Sequence, residues 1–377
     1  MSPSTPVQGL ENIRRRPGLY IGGTDQRALN GCVFELIANS IEEHLAGRCS
    51  AITVTIHADG SLSVKDDGGG ISTAPNPQHK LPVIELVMTT LHVPDDYLKR
   101  PCRILGLCGV GTKCVNAVSE WMQINTVWEA NEYQIAFARG RITEPLRKLP
   151  EPTVVSGTVV RFKPDPEIFK AVTFDRNFLA VRLDHLAVLH PKLVFLLVDE
   201  RSNIANRPLV SLFHYPGGIA DFLNVVCPAE SRRHPEPVAL NGESHGVRIA
   251  LGFQFTESGN TALLSFANSS PTRRGGTHVQ GFLEGLANTI NELARPQRAF
   301  GPDDMRPGLS AFVGVWLEDP RYGGATKDEL INSEVELAVR ELVSNGFQHW
   351  AKESGNQAKW LAESLDAVRG KQIDEAS

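Results

Sequence analysis

The chain has 377 residues, a formal net charge of −5, 41% hydrophobic and 21% charged residues. This length suggests about two domains with a buried core, and the mild acidity excludes a globally basic nucleic-acid binder while leaving room for a local basic patch. The longest apolar runs, such as LVFLLV at 193–198, are too short to span a bilayer, and MSPSTPVQGLENIRRRPG lacks a signal peptide's apolar core. The expectation is a cytoplasmic protein with no membrane partner. Cys32, Cys49, Cys102, Cys108, Cys114 and Cys227 fit neither C-x-x-C zinc spacing nor a disulfide framework, so small, reduced, hydrophobic thiols are expected.

In chain order, residues 29–47 read as a helix. Two alternating runs, 52–56 and 62–64, follow as strands, and Asp59-Gly60 between them signals a hairpin. PVIELVMTTLH at 82–92 has helical spacing, 93–103 is polar, and GLCGVGTKCVNAVSEW is a glycine-rich turn opening into a helix. Strand-like runs lie near 123–127, 133–137 and 157–163. Pro-Gly-Gly in FHYPGGIADFL, 213–223, marks a boundary and a new helix. Beyond it the pattern predicts strands at 247–255, 261–267 and 311–317 and helices at 277–294 and 327–350, with a polar, helical tail at 355–377.

Three local patterns carry chemistry. In ELIANSIEEHLAG, Glu35, Asn39 and Glu42 or Glu43 stack on one helical stripe with no basic residue beside them before Arg48. In VKDDGGGIS a strand delivers Asp66 and Asp67 into three glycines, where backbone can lie close to a ligand face. A carboxylate there can accept from a purine amine, although Asp-Gly-Gly is also an ordinary hairpin exit. In GLCGVG, Gly106, Gly109 and Gly111 precede a helix whose N-terminus can hold phosphate oxygens; the spacing is neither a Walker loop nor a Rossmann fingerprint.

The ordered set, Glu-x3-Asn, Asp-x-Gly-x-Gly, G-x-x-G-x-G and then SGTVVRF with Thr158, resembles the GHKL (Bergerat) ATPase superfamily. Within it, IRRRPGLYIGGTD, VFELIANSIEEHLAG, NSSPTRRGGTHVQGF and DPRYGGATKDELINSEV resemble the N-terminal half of the ATPase components of type IIA topoisomerases, gyrase B and ParE. The resemblance implies an α+β chain: a GHKL α/β sandwich over 1–210, then a ribosomal-S5-like transducer domain with C-terminal helices over 211–377. It implies Glu35 as general base, Asn39 as magnesium ligand, Asp66 as adenine reader, and Gly70 and Thr158 beside the adenine. Tyr20, Glu43, Ile71 and Val87 join the nucleotide site. Gly106, Leu107, Gly109, Val110 and Gly111 wrap the phosphates, 93–105 forms a mobile lid, and Lys327, at a helix start, reaches the γ-phosphate. ATP and Mg2+ are the implied cofactors. The implied partners are a second copy on nucleotide binding, DNA (Arg273 and Arg274 being candidates to face it) and a gyrase A/ParC-like protein.

The chain departs from that pattern at several positions. Gly69 stands where the family usually has an arginine that pairs with the acid at position 43, so Glu43 is expected to lack its partner. Ser72 replaces a proline, Leu105 a glycine, Cys108 a histidine and Ala325 a glutamine, Tyr133 lies near the position of a rim arginine, and the arm before IRRRPG is short. Weakened aminocoumarin inhibition is the expected consequence at the rim. No E-G-D-S-A motif or D-x-D set follows 350, so no TOPRIM domain and no DNA cleavage are expected from this polypeptide alone. A different class of function, a nucleotide-sensing regulator of a topoisomerase or another DNA-linked system with little turnover, is favoured by Gly69, Cys108 and Ala325. A chaperone or MutL-like ATPase fits GGTH, 275–278, and TKDEL, 326–330, less well.

Overall fold

The structure is a computed structural model and describes residues 7–91, 110–150, 156–204, 207–257, 259–294, 299–324, 327–353 and 363. The chain divides into two units, Met1–His214 and Tyr215–Ser377. The first opens with α1 (Val7–Arg15), α2 (Pro17–Ile21) and α3 (Gln26–Leu45), then β1 (Ala51–Ile56), β2 (Leu62–Asp66), α4 (Val83–Thr89) and α5 (Gly111–Ala117). It continues with β3 (Ser119–Trp128), β4 (Asn131–Ala138), β5 (Arg141–Lys148), β6 (Thr158–Pro164), α6 (Arg176–Leu189), β7 (Val194–Ile204) and β8 (Arg207–Phe213). Position 210/211 therefore lies inside β8.

These strands form one eight-stranded sheet, β5-β4-β3-β6-β2-β1-β7-β8. The β1–β2 hairpin forms where Asp59-Gly60 predicts it: the Asp59 carboxylate accepts from Ser61 N–H and Oγ, and Gly60 takes φ +81. Along β1, Ile52, Val54 and Ile56 are buried while Ala51, Thr53 and Thr55 are half-buried, the alternation of a sheet with one covered face. Helix α3 packs on β2, α5 on β3 and β4, and α6 on β7 and β8. Asp25 caps α3 by accepting from Ala28 N–H.

The second unit contains α7 (Ile219–Val226), β9 (Val238–Ser244), β10 (Val247–Phe255), β11 (Ala262–Ala267), β12 (Ser270–Pro271), α8 (Thr277–Ala294), β13 (Leu309–Trp316) and α9 (Ser333–Glu353). Its sheet runs β12-β11-β13-β10-β9, with α8 and α9 packed on each other and on β13 and β9. Phe253, Phe282, Val313, Val339 and Phe347 centre its core.

The helix expected from 327 starts at Ser333 instead. Residues 327–332 form a loop: Leu330 bridges Gly276 and Tyr322, and Lys327 has φ +57, outside right-handed helical space. Lys327 is therefore a loop residue, not a helix start. Helices α1, α2 and α6 and strands β5, β7, β8, β9 and β12 have no counterpart among the sequence expectations; β5 is a charged, exposed edge strand. The expected helical tail, residue 363 apart, lies outside the described residues. Cys32, Cys49, Cys114 and Cys227 are buried free thiols, and burial pushes the Cys49 and Cys114 thiols up to about 12. Cys102 and Cys108 lie outside the described residues. Among the described residues no helix is long and apolar enough to cross a membrane.

Candidate functional site

Helix α3 organises the site because its stripe meets two different loops. At one end Glu35 lies against the start of α5, so closely that a Cβ on Gly111 would collide with Glu35 Oε2. One turn on, the exposed Asn39 donates from Nδ2 to Thr112 Oγ1. The first bond within α5 runs from Cys114 N–H to Val110 O (3.0 Å), so the Gly111 and Thr112 amides precede the intrahelical ladder. This end thus combines a carboxylate, an amide and helix N-terminal N–H groups. Buried Lys113 donates to Thr90 O at 2.7 Å and ties α5 to the end of α4.

Further along α3, against Ser40, sits Asp66, only 8% exposed at the end of β2. Its Oδ2 accepts from Ser40 Oγ (2.7 Å), and its Oδ1 accepts from Gly68 N–H (3.0 Å) and Thr158 N–H (3.1 Å). Burial pushes this carboxyl above its ordinary value, against the pull of those three bonds, and the nearby Glu43 charge adds to the rise. Thr158 Oγ1 lies 3.3 Å from Thr126 Oγ1, which accepts from Ile71 N–H at 2.7 Å. Gly70, between these groups, has φ +78, and a Cβ there would collide with Val127 O; only glycine lets the turn lie this close to β3.

The rest of the turn is latched from outside. Asp67 accepts from Ser50 N–H (2.8 Å), Ala51 N–H (3.0 Å) and Ser50 Oγ. Burial pushes the Asp67 carboxyl up, but these bonds outweigh it and bring it down to about 2. The expectation that Glu43 lacks a partner is overturned. Arg48, from the turn after α3, donates through Nε and Nη2 to both Glu43 oxygens, each at 2.7 Å, and Gly69 N–H donates to Oε2 at 3.1 Å. A guanidinium five residues downstream on the same segment takes the place of a side chain from position 69.

The structure thus brings Glu35, Asn39, Glu43, Asp66, Gly70, Ile71, Gly111 and Thr158 into one constellation. Val110 closes the N-terminal end of α5. Tyr20 on α2 and Val87 on α4 are half-buried. Gly106, Leu107 and Gly109, the expected lid, Leu105 and Ala325 lie outside the described residues. Lys327 belongs to the second unit, where its Nζ lies 5.7 Å from the Tyr322 ring centroid. Its loop is held to the GGTH turn by Arg274 N–H to Asp328 O (2.8 Å), Leu330 N–H to Gly275 O (3.1 Å) and Thr277 N–H to Leu330 O (3.0 Å). Arg274 also faces Glu329 at 3.6 Å. Sequence reasoning missed Ser40, Arg48, Thr112 and Thr126. Of these, Ser40 was readable, since it neighbours Asn39 on a helix already singled out.

The sheet, the acid-amide stripe and the buried carboxylate beside a glycine turn define a GHKL-class ATP-binding chain followed by a transducer domain. Residues 24–168 match the family model described as Histidine kinase-, DNA gyrase B-, and HSP90-like ATPase, and residues 218–375 match the model described as DNA gyrase B. The chain belongs to the DNA gyrase B family and corresponds to its ATPase portion. It is 35% identical to DNA gyrase B of Thermus thermophilus over 98% of this chain and 59% of that protein. It is 37% identical to that of Archaeoglobus fulgidus over 94% of this chain and 56% of that protein. The chain thus spans less than two thirds of these curated relatives. The crystal structure of the 43K ATPase domain of Thermus thermophilus gyrase B, in complex with an aminocoumarin, superposes with TM-score 0.82 at 33% identity, covering 98% of this chain and 96% of that one. The topoisomerase IV ATP-binding domain of Francisella tularensis gives 0.77 at 27% identity, covering 97% and 98%.

Proposed function

We propose that this chain binds ATP along α3 and hydrolyses it with Mg2+, and that ATP makes two copies clasp as the nucleotide-operated DNA gate of a gyrase B/ParE-like enzyme. The observation that carries the reading is that one helix, α3, holds both Glu35, against the α5 N-terminus, and Ser40, which donates to the buried Asp66. Ser40 lies five residues from Glu35, and Glu43, at the outer edge of the glycine turn, lies eight; the latter is about 12 Å of helix axis at ~1.5 Å per residue. That span suits an extended nucleoside triphosphate with its base on Asp66 and its terminal phosphate at Glu35.

Asp66, held by three donors, accepts from the adenine amino group, and guanine presents a carbonyl where that amine would be. Gly70, Ile71 and Thr158 line the base, and Tyr20 and Val87 complete the pocket. Gly111 and Thr112 N–H groups donate to phosphate oxygens, beside Val110 at the start of α5. Glu35 takes the proton of the attacking water, and the rest of the catalysis is positioning. Asn39 fits a magnesium site: its Nδ2 is committed to Thr112 Oγ1, which leaves its amide oxygen as a hard donor. Bound Mg2+ supplies charge neutralisation at the phosphates. Lys327 contacts the γ-phosphate and so distinguishes ATP from ADP. DNA, a gyrase A/ParC-like protein and a cytoplasmic setting complete the proposal.

Steady-state ATP hydrolysis at several protein concentrations, beside Glu35→Ala, tests it. Turnover that rises more than linearly with protein and vanishes in the variant is expected. Turnover strictly proportional to protein would overturn the clasp, and an active Glu35→Ala would overturn the base. Magnesium-dependent ATP binding without turnover would replace this reading with the nucleotide-sensing one favoured by Gly69, Cys108 and Ala325.

A further inference from the structure

The Arg48–Glu43 pair sits beside the turn that presents Asp66. Its geometry is two-point, both bonds being 2.7 Å, and Glu43 is the less exposed member at 16% against 45% for Arg48. Glu43 Oε2 also accepts the Gly69 N–H, and Arg48 N–H donates to Glu43 O at 2.9 Å, which folds the segment after α3 back over that carboxylate. The space above Gly69 is taken: a Cβ there would stand 3.1 Å from both Cδ and Nε of Arg48 and 3.2 Å from Glu43 Oε2. A side chain at 69 would thus crowd the Arg48–Glu43 pair. One residue before Gly69, Gly68 N–H bonds Asp66 Oδ1. The chain of contacts therefore runs Arg48, Glu43, Gly69, Gly68, Asp66.

We infer that Arg48 is a positioning residue for nucleotide base recognition: its grip on Glu43 holds the glycine turn in the register that presents Asp66 to the base. This rests on the nucleotide-site reading above. Without Arg48, the Glu43 carboxylate loses both guanidinium bonds, and the Gly69 N–H is held by an acceptor that is no longer braced from outside. A bidentate pair fixes geometry in a way a single ammonium does not, so lysine restores the charge but only part of the register.

The test measures ATP and GTP affinity and kcat for the full chain and for Arg48→Ala, Arg48→Lys, Gly69→Ala, the Arg48→Ala/Gly69→Ala double variant and Asp66→Asn, with a thermal melt for each. Arg48→Ala is expected to raise the Kd for ATP roughly five-fold, with kcat at saturation within about two-fold of the parent. It should also narrow the preference for ATP over GTP, an effect that simple loss of stability would not produce. Arg48→Lys should fall between. Gly69→Ala should raise the Kd by itself, because its methyl crowds the Arg48 side chain and the Glu43 oxygen and loosens the two-point pair, and add little once Arg48 is alanine. Additive penalties, or unchanged ATP affinity and base preference in a folded Arg48→Ala, would overturn the inference while reduced binding by Asp66→Asn leaves the site reading intact. Normal ATP binding by Asp66→Asn would overturn both.

Discussion

His234 is 2% exposed and lies edge-on to Phe253, Phe255 and Trp350. Its Nε2 accepts from Phe255 N–H (3.0 Å) and its Nδ1 donates to Glu236 O (2.8 Å), so the neutral ring is fully used. Protonation would turn Nε2 toward another N–H as a second donor. Burial holds this imidazole down at about 4, and burial does the same to His278, at about 3, and His185, at about 4. The unfolded chain takes up a proton near the ordinary value of about 6.5 while the native state does not. The stabilisation is therefore complete above about pH 6.5 and is lost as pH falls toward 4, at up to about 1.4 kcal/mol per pH unit for each histidine. Urea unfolding across that window should show a steep fall in midpoint for the parent and a shallower one for His234→Gln, whose amide can donate and accept in place. Equal slopes would count against a neutral His234. At this scale the sequence exposes candidate residues but not their partners. Glu43 reads as unpaired because its usual partner position is glycine, and Arg48 is revealed only when the turn after α3 closes.

Helices α8 and α9 owe their contact to small residues on one face of α8. A Cβ on Gly281 would collide with Glu336 O, and one on Gly285 would stand 2.8 Å from Val343 Cβ and 3.0 Å from Arg340 O. Glycine to alanine in a free helix gains about 1 kcal/mol in propensity. Here the methyl strikes backbone, which cannot rotate away, and overpacking of this kind costs about 1–3 kcal/mol. The cost exceeds the gain, so Gly281→Ala should lower the melting temperature; a rise would show that α8 and α9 are not this close. Periodicity announces α3, the β1–β2 hairpin and α8 because each is specified by neighbours in sequence. It misplaces the start of α9, since the loop at 327–332 is held out of the helix by the bridge from Leu330 to distant Gly276. It passes over β5, whose exposed, charged residues carry no hydrophobic alternation and which is a strand only because β4 supplies its ladder.

Each unit has its own sheet and its own core, Ile37, Val54, Phe162 and Leu197 in the first and Phe253, Phe282 and Phe347 in the second. The whole proposed base-reading apparatus, Asp66 with Ser40 and Thr158, lies in the first. A fragment of residues 1–214 should therefore fold and bind ATP, as checked by circular dichroism and a nucleotide titration. Loss of secondary structure in that fragment would show that its core depends on the second unit.

The sequence alone determined what is local. A helix with Glu35, Asn39 and Glu43 in register, a strand ending in Asp66 and glycines, and a boundary near 213–223 follow from spacing within single elements, where backbone periodicity sets which side chains share a face. The tertiary structure decided which of those groups act together. Ser40 reaches Asp66 across 26 positions because α3 packs on β2, and Thr158 reaches it across 92 because β6 pairs beside β2 in one particular register. Arg48 packs beside Gly69, and the GGTH turn holds the Lys327 loop through backbone bonds across more than fifty positions. Such contacts depend on how distant backbones come to lie against each other, and no spacing within one segment records that.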